Sequence, residues 1–202
     1  MFITLLRHGE SEGNMLQCWQ GITDGPLTVV GQQQATLAMQ ELKKYKFTTI
    51  LSSPLQRALE TAKKVHAALP EPRPELVVEP LLTELDMGSL EGQSWSVPNP
   101  IHTRDTPFPG GGESLNDVYL RATRFLVQHL EQVDDEEEGH VLVVSHGMFL
   151  TELVHALCSR YGYGWIDLRW SNTGITTLRC TIDNGLELIR VNDTQHVKQM
   201  YL

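Results

Sequence analysis

Arg7 and His8 stand at the end of a short apolar run, Met1-Phe2-Ile3-Thr4-Leu5-Leu6, and Gly9 follows them. The run reads as a buried strand. Its end is a costly place for a guanidinium and an imidazole unless both serve a ligand. A second apolar run, Val141-Leu142-Val143-Val144, leads into Ser145-His146-Gly147. If the two strands are parallel neighbours, both imidazoles point into one crevice, and the glycines permit tight turns with accessible backbone amides. A single strand-end histidine is usually structural. Two in equivalent positions, one with arginine beside it, make a much stronger pattern.

Two more segments supply chemistry. The run at 48–52 leads through Ser52-Ser53-Pro54 to Arg57, in or just after the first turn of a helix. A cation there opposes the helix dipole, and a bound anion would reconcile the conflict. The plainer alternative is an exposed arginine paired with Glu60. The segment "LLTELDMGSLEG" offers Glu84, Asp86 and Glu91 as candidate acids. Glu84 is the first carboxylate beyond its strand, which favours it without removing the others. Two arginines, two histidines and a carboxyl group fit phosphoryl chemistry. Arg7 and Arg57 can clamp the phosphoryl oxygens. A neutral imidazole can attack phosphorus and form a phosphohistidine. The acid can protonate the departing alkoxide and then activate water. The histidines lack HxxxH or HExxH spacing and no carboxylate cluster accompanies them, so the reading assigns no metal and no cofactor.

These residues need a frame. Apolar β-type runs fall at 2–6, 48–52, 76–79 and 140–145, with helix-period segments between them. In 54–69, Leu55, Ala58, Ala62, Val65 and Leu69 share a face, with Ser53 as the expected cap, Pro54 at the first position and Gln56 completing a box. Residues 28–45 form a helix capped by Thr28, with Ala35, Ala38, Leu42 and Tyr45 facing inward. Residues 114–133 form another, opened by a Ser114–Asp117 box and striped by Leu115, Val118, Ala122, Phe125, Leu126, Leu130 and Val133. A fourth spans 148–160. The chain closes with strands at about 174–180 and 186–191 around "DNG", a hairpin-type turn signal. Strand–helix alternation with continuous apolar strands predicts an α/β fold: a three-layer α/β/α sandwich around a Rossmann-like, mostly parallel sheet with a C-terminal antiparallel addition. The stretch rich in proline and glycine at about 93–112 reads as a cap-like excursion within one domain of residues 1–202, and Asp134–Glu138 as a solvated acidic loop.

The bulk numbers narrow the function. The 202 residues carry a net charge of −9, so nothing favours nucleic acid or an anionic membrane, and any anion site must be local. No apolar run is long enough for a signal or a membrane span. Cys18, Cys158 and Cys180 form no framework, which predicts a reducing, cytoplasmic setting, with Cys158 and Cys180 in the core and Cys18 partly exposed. His66, His129, His140 and His196 read as surface or hydrogen-bonded residues, and His155 as packing. Trp165 and Trp170 read as core or interface anchors, with which a homodimer is compatible.

The quoted stretches resemble one family throughout. "LLRHGESEGN" is similar to the RHGxTxxN signature of the histidine phosphatase superfamily, the phosphoglycerate mutase-like proteins. "DGPLTVVGQQQA", "LSSPLQRALETA", "LTELDMGSLEG", "PGGGES" and "VLVVSHGMFL" resemble its later segments in the same order; "NTGIT" and "NDTQHV" do so as well. The resemblance covers nearly the whole chain. It implies that His8 is the phosphorylated nucleophile and Glu84 the proton donor. Arg7, Arg57 and His146 would complete a phosphate pocket that Asn14 and the Gly147 amide also touch. Gln20 and Gly21 match a substrate-side position. The family's mutases carry an Arg-Arg pair in an insertion after the acid segment. Here Gln93 to Gly112 offers only His102 and Arg104, with Trp95 and Phe108 as an apolar wall or as ordinary packing. The expected activity is hydrolysis of a small phosphomonoester. A phosphoglycerate mutase, or a phosphate-recognising module without turnover, is the alternative.

Overall fold

The computed structural model describes residues 1–100, 103–130, 139–181 and 185–201. One sheet contains β1 (Phe2–Arg7), β2 (Thr49–Ser52), β3 (Leu76–Val78), β4 (His140–Ser145), β5 (Ile175–Thr181) and β6 (Gly185–Asp193). The order across it is β3-β2-β4-β1-β5-β6. The first four in that order are parallel; β5 runs antiparallel to β1, and β6 to β5. The helices are α1 (Glu12–Met15), α2 (Val29–Leu42), α3 (Gln56–Ala67), α4 (Leu115–Phe125) and α5 (Gly147–Arg160).

The central strands are largely apolar because both faces are covered. Ile3, Leu5, Val141 and Val143 pack with Val118, Ala122 and Phe125 of α4 and Phe149, Leu153 and Val154 of α5. Leu6, Leu142 and Val144 pack on the other side with Ala38 and Leu42 of α2 and Ala58, Ala62 and Val65 of α3. Successive side chains alternate between the two layers, as the two-residue period of a strand requires. The sandwich and the antiparallel addition are as expected.

Local details differ from expectation. The Ser114–Asp117 capping box and the Thr28 cap are present. The cap of α3 is not: Leu55 holds the N-cap position without a side-chain bond. The missing acceptor comes from outside the helix, where Asp24 Oδ1 accepts the Gln56 N–H at 2.7 Å. Gln56 uses its side chain on Glu60 instead. Tyr45 lies beyond the end of α2 and is exposed, because the helix stops at Leu42. The α-helical geometry of α4 ends at Phe125, and Leu126–Leu130 continue as a π-helical turn. Val133, the acidic run 134–138, His102, and Asp183 and Asn184 of the hairpin turn lie outside the described residues. Among the described residues no helix is long and apolar enough to cross a membrane.

Candidate active site

β1 and β4 are neighbours, with Arg7 opposite Ser145. From β1 the chain leaves through α2 to β2, beyond β4; from β4 it leaves through α5 to β5, beyond β1. These opposite departures open a crevice at the carboxyl ends of the pair. A cavity of ≈ 290 Å³ lies there. Of the residues singled out in the sequence, Arg7, His8, Asn14, Gln20, Gly21, Arg57, Glu84 and Gly147 all line it. His146 does not. It is fully buried, with its ring centroid 5.1 Å from that of His8.

His8 is held from several sides. Its N–H donates to the Ser145 carbonyl at 3.0 Å, and its own carbonyl accepts from Thr173 N and Asn172 Nδ2, each at 3.2 Å. Gly9 must follow, because a side chain there would meet the Gly31 carbonyl of α2 at 2.6 Å. The ring Nδ1 lies 2.6 Å from the Gly9 carbonyl, which can only accept. Nδ1 therefore carries the proton, and the lone pair is on Nε2. Burial, followed by the charges of Arg7 and Arg57, holds the His8 pKa well below its ordinary value. The imidazole is neutral, which leaves its Nε2 lone pair able to attack an electrophile.

The two cations are fixed by backbone carbonyls. Arg57 is 1% exposed. Its Nη1 donates to Thr23 O at 2.9 Å and its Nη2 to Gly21 O at 2.7 Å, so it is not the exposed partner of Glu60. Burial lowers its pKa to about 10, against the opposing pull of Glu84 and Asp24. The Asp24 carboxylate at the start of α3 also offsets the dipole conflict that Arg57 creates. Arg7 Nη1 donates to Trp170 O at 2.6 Å, and burial lowers its pKa as well. Arg7 Nε, Arg57 Nε and His146 Nδ1 are buried and have no hydrogen-bond partner. The other ring nitrogen of His146 lies 2.8 Å from Ser53 Oγ. Burial, then the charge of Arg57, holds His146 neutral too.

The structure separates the three candidate acids. Glu84 alone among them lines the cavity. Its carboxylate accepts from the N–H groups of Met148 and Phe149 at the start of α5, at 3.1 and 3.0 Å. Asp86 caps its own turn through Gly88 N. Glu91 accepts from Ile22 N and Thr23 N, at 2.8 and 2.7 Å, and so fastens the loop whose carbonyls hold Arg57. Gly21 in that loop has φ +48, and a side chain would collide with Glu91.

Several supporting residues escaped the sequence reading. Asn172 Nδ2 donates to Asn14 Oδ1 at 2.9 Å, and Ser11 N donates to the same oxygen at 3.3 Å. The Asn14 oxygen is thus engaged, and its NH₂ group is what remains for the cavity. Arg121 of α4 donates to the carbonyls of Leu81, Thr83 and Glu84 and pairs with Glu113, which fixes the acid segment. Only the familiar look of "NTGIT" hinted at Asn172; Arg121 looks like any charge beside a helical stripe. Of the described residues in the 93–112 excursion, Trp95 alone reaches the cavity. Phe108 is core, and Arg104 pairs with buried Glu152 and lies over Trp165. Arg104 and Phe108 thus turn to α4, α5 and the core, away from the cavity.

The family model described as "Histidine phosphatase superfamily (branch 1)" matches residues 3–194. The chain belongs to this superfamily. A 2,3-bisphosphoglycerate-dependent phosphoglycerate mutase of Bartonella bacilliformis is 32% identical over 77% of this chain and 80% of its own length. Among solved structures, the phosphoserine phosphatase of Entamoeba histolytica in complex with 3-phosphoglyceric acid matches with a TM-score of 0.79 at 30% identity, covering 97% of this chain and 98% of that one. A mycobacterial glucosyl-3-phosphoglycerate phosphatase matches with a TM-score of 0.81 at 26% identity, covering 96% and 99%.

Proposed function

We propose that residues 1–202 act as one catalytic domain that hydrolyses small phosphomonoesters through a covalent phosphohistidine on His8, without a metal. One observation carries this reading. A neutral His8 with its free lone pair on Nε2 sits among three buried, unpartnered nitrogens, on Arg7, Arg57 and His146. Each such nitrogen costs about 1–3 kcal/mol when left unsatisfied. A bound phosphoryl group offers them oxygen acceptors.

The geometry supports a two-step displacement. His8 Nε2 attacks phosphorus, and the bond to the ester oxygen breaks as Glu84 delivers a proton to that oxygen. The Nδ1–H bond to Gly9 O stabilises the positive charge that develops on the ring. Arg7, Arg57, the Asn14 amide, the Gly147 N–H and His146 neutralise or bind the phosphoryl oxygens. Glu84, now a carboxylate, takes a proton from water, which attacks phosphorus and releases His8 and inorganic phosphate. Gln20 and Gly21 border the alcohol side. The free thiols of Cys18, Cys158 and Cys180 support a cytoplasmic setting.

The test is phosphate release from a panel of monoesters in the presence of EDTA, with alkaline quench of the reacting protein. A phosphate adduct on the peptide bearing His8, stable to alkali and lost in acid, is expected. Turnover without that adduct, or turnover abolished by EDTA, would overturn the mechanism. Glu84→Gln should slow esters of poor leaving groups most, since these need the proton most. The likeness to the Bartonella mutase supports a second reading, and interconversion of 3- and 2-phosphoglycerate without net phosphate release would replace hydrolysis by it.

A further inference from the structure

We propose that the cavity selects a phosphomonoester whose alcohol part is apolar and aromatic, with no second anionic group. The proposal rests on the reading above for the phosphoryl end and adds the chemistry of the other end.

Three of the chain's four tryptophans, Trp19, Trp95 and Trp170, line the cavity, together with Met87, Met148 and Leu168. The polar ends of two of these indoles are already used. Trp170 Nε1 donates to Thr151 Oγ1 at 3.0 Å, and Trp19 Nε1 to Val97 O at 3.4 Å. What they offer a ligand is ring surface. Trp95 is 45% exposed, yet its backbone is pinned: its N–H donates to Gln17 O at 2.8 Å, beside a Cys18–Ser94 bridge. An exposed indole on a fixed backbone presents a large contact area that loses little entropy on binding.

Charge sharpens the choice. Among the described residues, Arg7 and Arg57 are the cations that line the cavity, and both sit at the phosphoryl end. Arg104 is paired with Glu152, away from the cavity. The carboxyl group among the lining residues is that of Glu84. A carboxylate or second phosphate on the alcohol part would meet no cation there, only tryptophan, methionine and the neutral side chains of Gln20 and Thr151, and would lose hydration without a compensating charge. Phosphoserine and phosphoglycerate both carry such a carboxylate.

The experiment compares kcat/KM for 2-phenylethyl phosphate and 3-phosphoglycerate, both esters of primary alcohols, in the wild type, Trp95→Ala and Trp95→Phe. A preference of about tenfold or more for the aryl ester is expected, of the size that a few buried methylenes give. Trp95→Ala should shrink that ratio severalfold and Trp95→Phe should restore most of it. An equal or reversed preference, or a ratio that Trp95→Ala does not move, overturns the proposal while hydrolysis stands. If neither ester releases phosphate, the wider panel of monoesters decides hydrolysis, and calorimetric binding of the same two esters to the wild type and Trp95→Ala decides the cavity's preference. Tighter binding of the aryl ester, weakened by Trp95→Ala, supports it; any other order overturns it.

Discussion

The two ends of the β1–β4 pair make an instructive contrast. At the amino end Phe2 lies opposite His140; at the carboxyl end Arg7 lies opposite Ser145, with His8 and His146 just beyond. Both ends keep imidazoles neutral. His140 packs against Phe2, Tyr45 and Phe47, and its Nε2 lies 2.8 Å from Thr4 Oγ1. Burial alone brings its pKa down to about 4. At the carboxyl end burial is joined by the charges of Arg7 and Arg57. A neutral, half-buried histidine is therefore no sign of function by itself. Guanidinium groups held beside it, with nitrogens left unpartnered, are the sign, because a fold gains nothing from them unliganded.

The largest expected effect breaks the contrast outright. His8→Ala should lower kcat at least about a thousandfold, as loss of a nucleophile does elsewhere, while the melting temperature changes little. Comparable activity in that variant would remove the distinction between the ends. Next is Arg57→Lys, for which we expect a loss of about a hundredfold in kcat/KM, because an ammonium cannot keep both carbonyl bonds and a forked contact with phosphate. Amide exchange at residues 21–23 should rise in the same variant. Unchanged exchange would show that Glu91 alone fixes the loop.

A smaller effect tests positioning. Asn172→Ala should lower kcat about tenfold with little change in KM, since a slight misplacement of His8 and Asn14 costs rate. A change confined to KM would argue against that role. The smallest effect belongs to the amino end. With a folded pKa near 4 and an ordinary value of 6.5, His140 takes up a proton on unfolding between those pH values, so stability falls as pH drops through that window. His140→Gln should flatten the acid slope of the melting temperature by up to about one proton's worth and leave kcat/KM unaltered. An unchanged slope would mean that His140 titrates normally in the fold.

Much of this was legible in the sequence because it is written in short range. The apolar runs ending in Arg7-His8-Gly9 and Ser145-His146-Gly147 announce both the strands and the crevice. Ser114 and Asp117 announce a helix start, and the structure has it. What was illegible depends on residues distant in the chain. No local pattern says that Asp24 caps α3, that Arg121 clasps the acid segment, or that Asn172 reaches Asn14. Among Glu84, Asp86 and Glu91, position alone favoured the first only mildly and the family resemblance made the choice; the fold sets Glu84 apart by the cavity it lines and the α5 amide groups it accepts from. The partner of Arg104 was illegible for the same reason: Glu152 is a buried carboxylate whose position no spacing reveals.

The strand order has one further consequence. β4 wedges between β1 and β2, although both are synthesised long before it. Until β4 arrives, His8 has no histidine beside it and the nascent chain exposes two unsatisfied strand edges. The candidate site is thus assembled late: it needs β4 and, after β4, Trp170 and Asn172, which hold Arg7, His8 and Asn14. A chain ended before β4 would lack His146 and the Ser145 carbonyl that holds the His8 N–H.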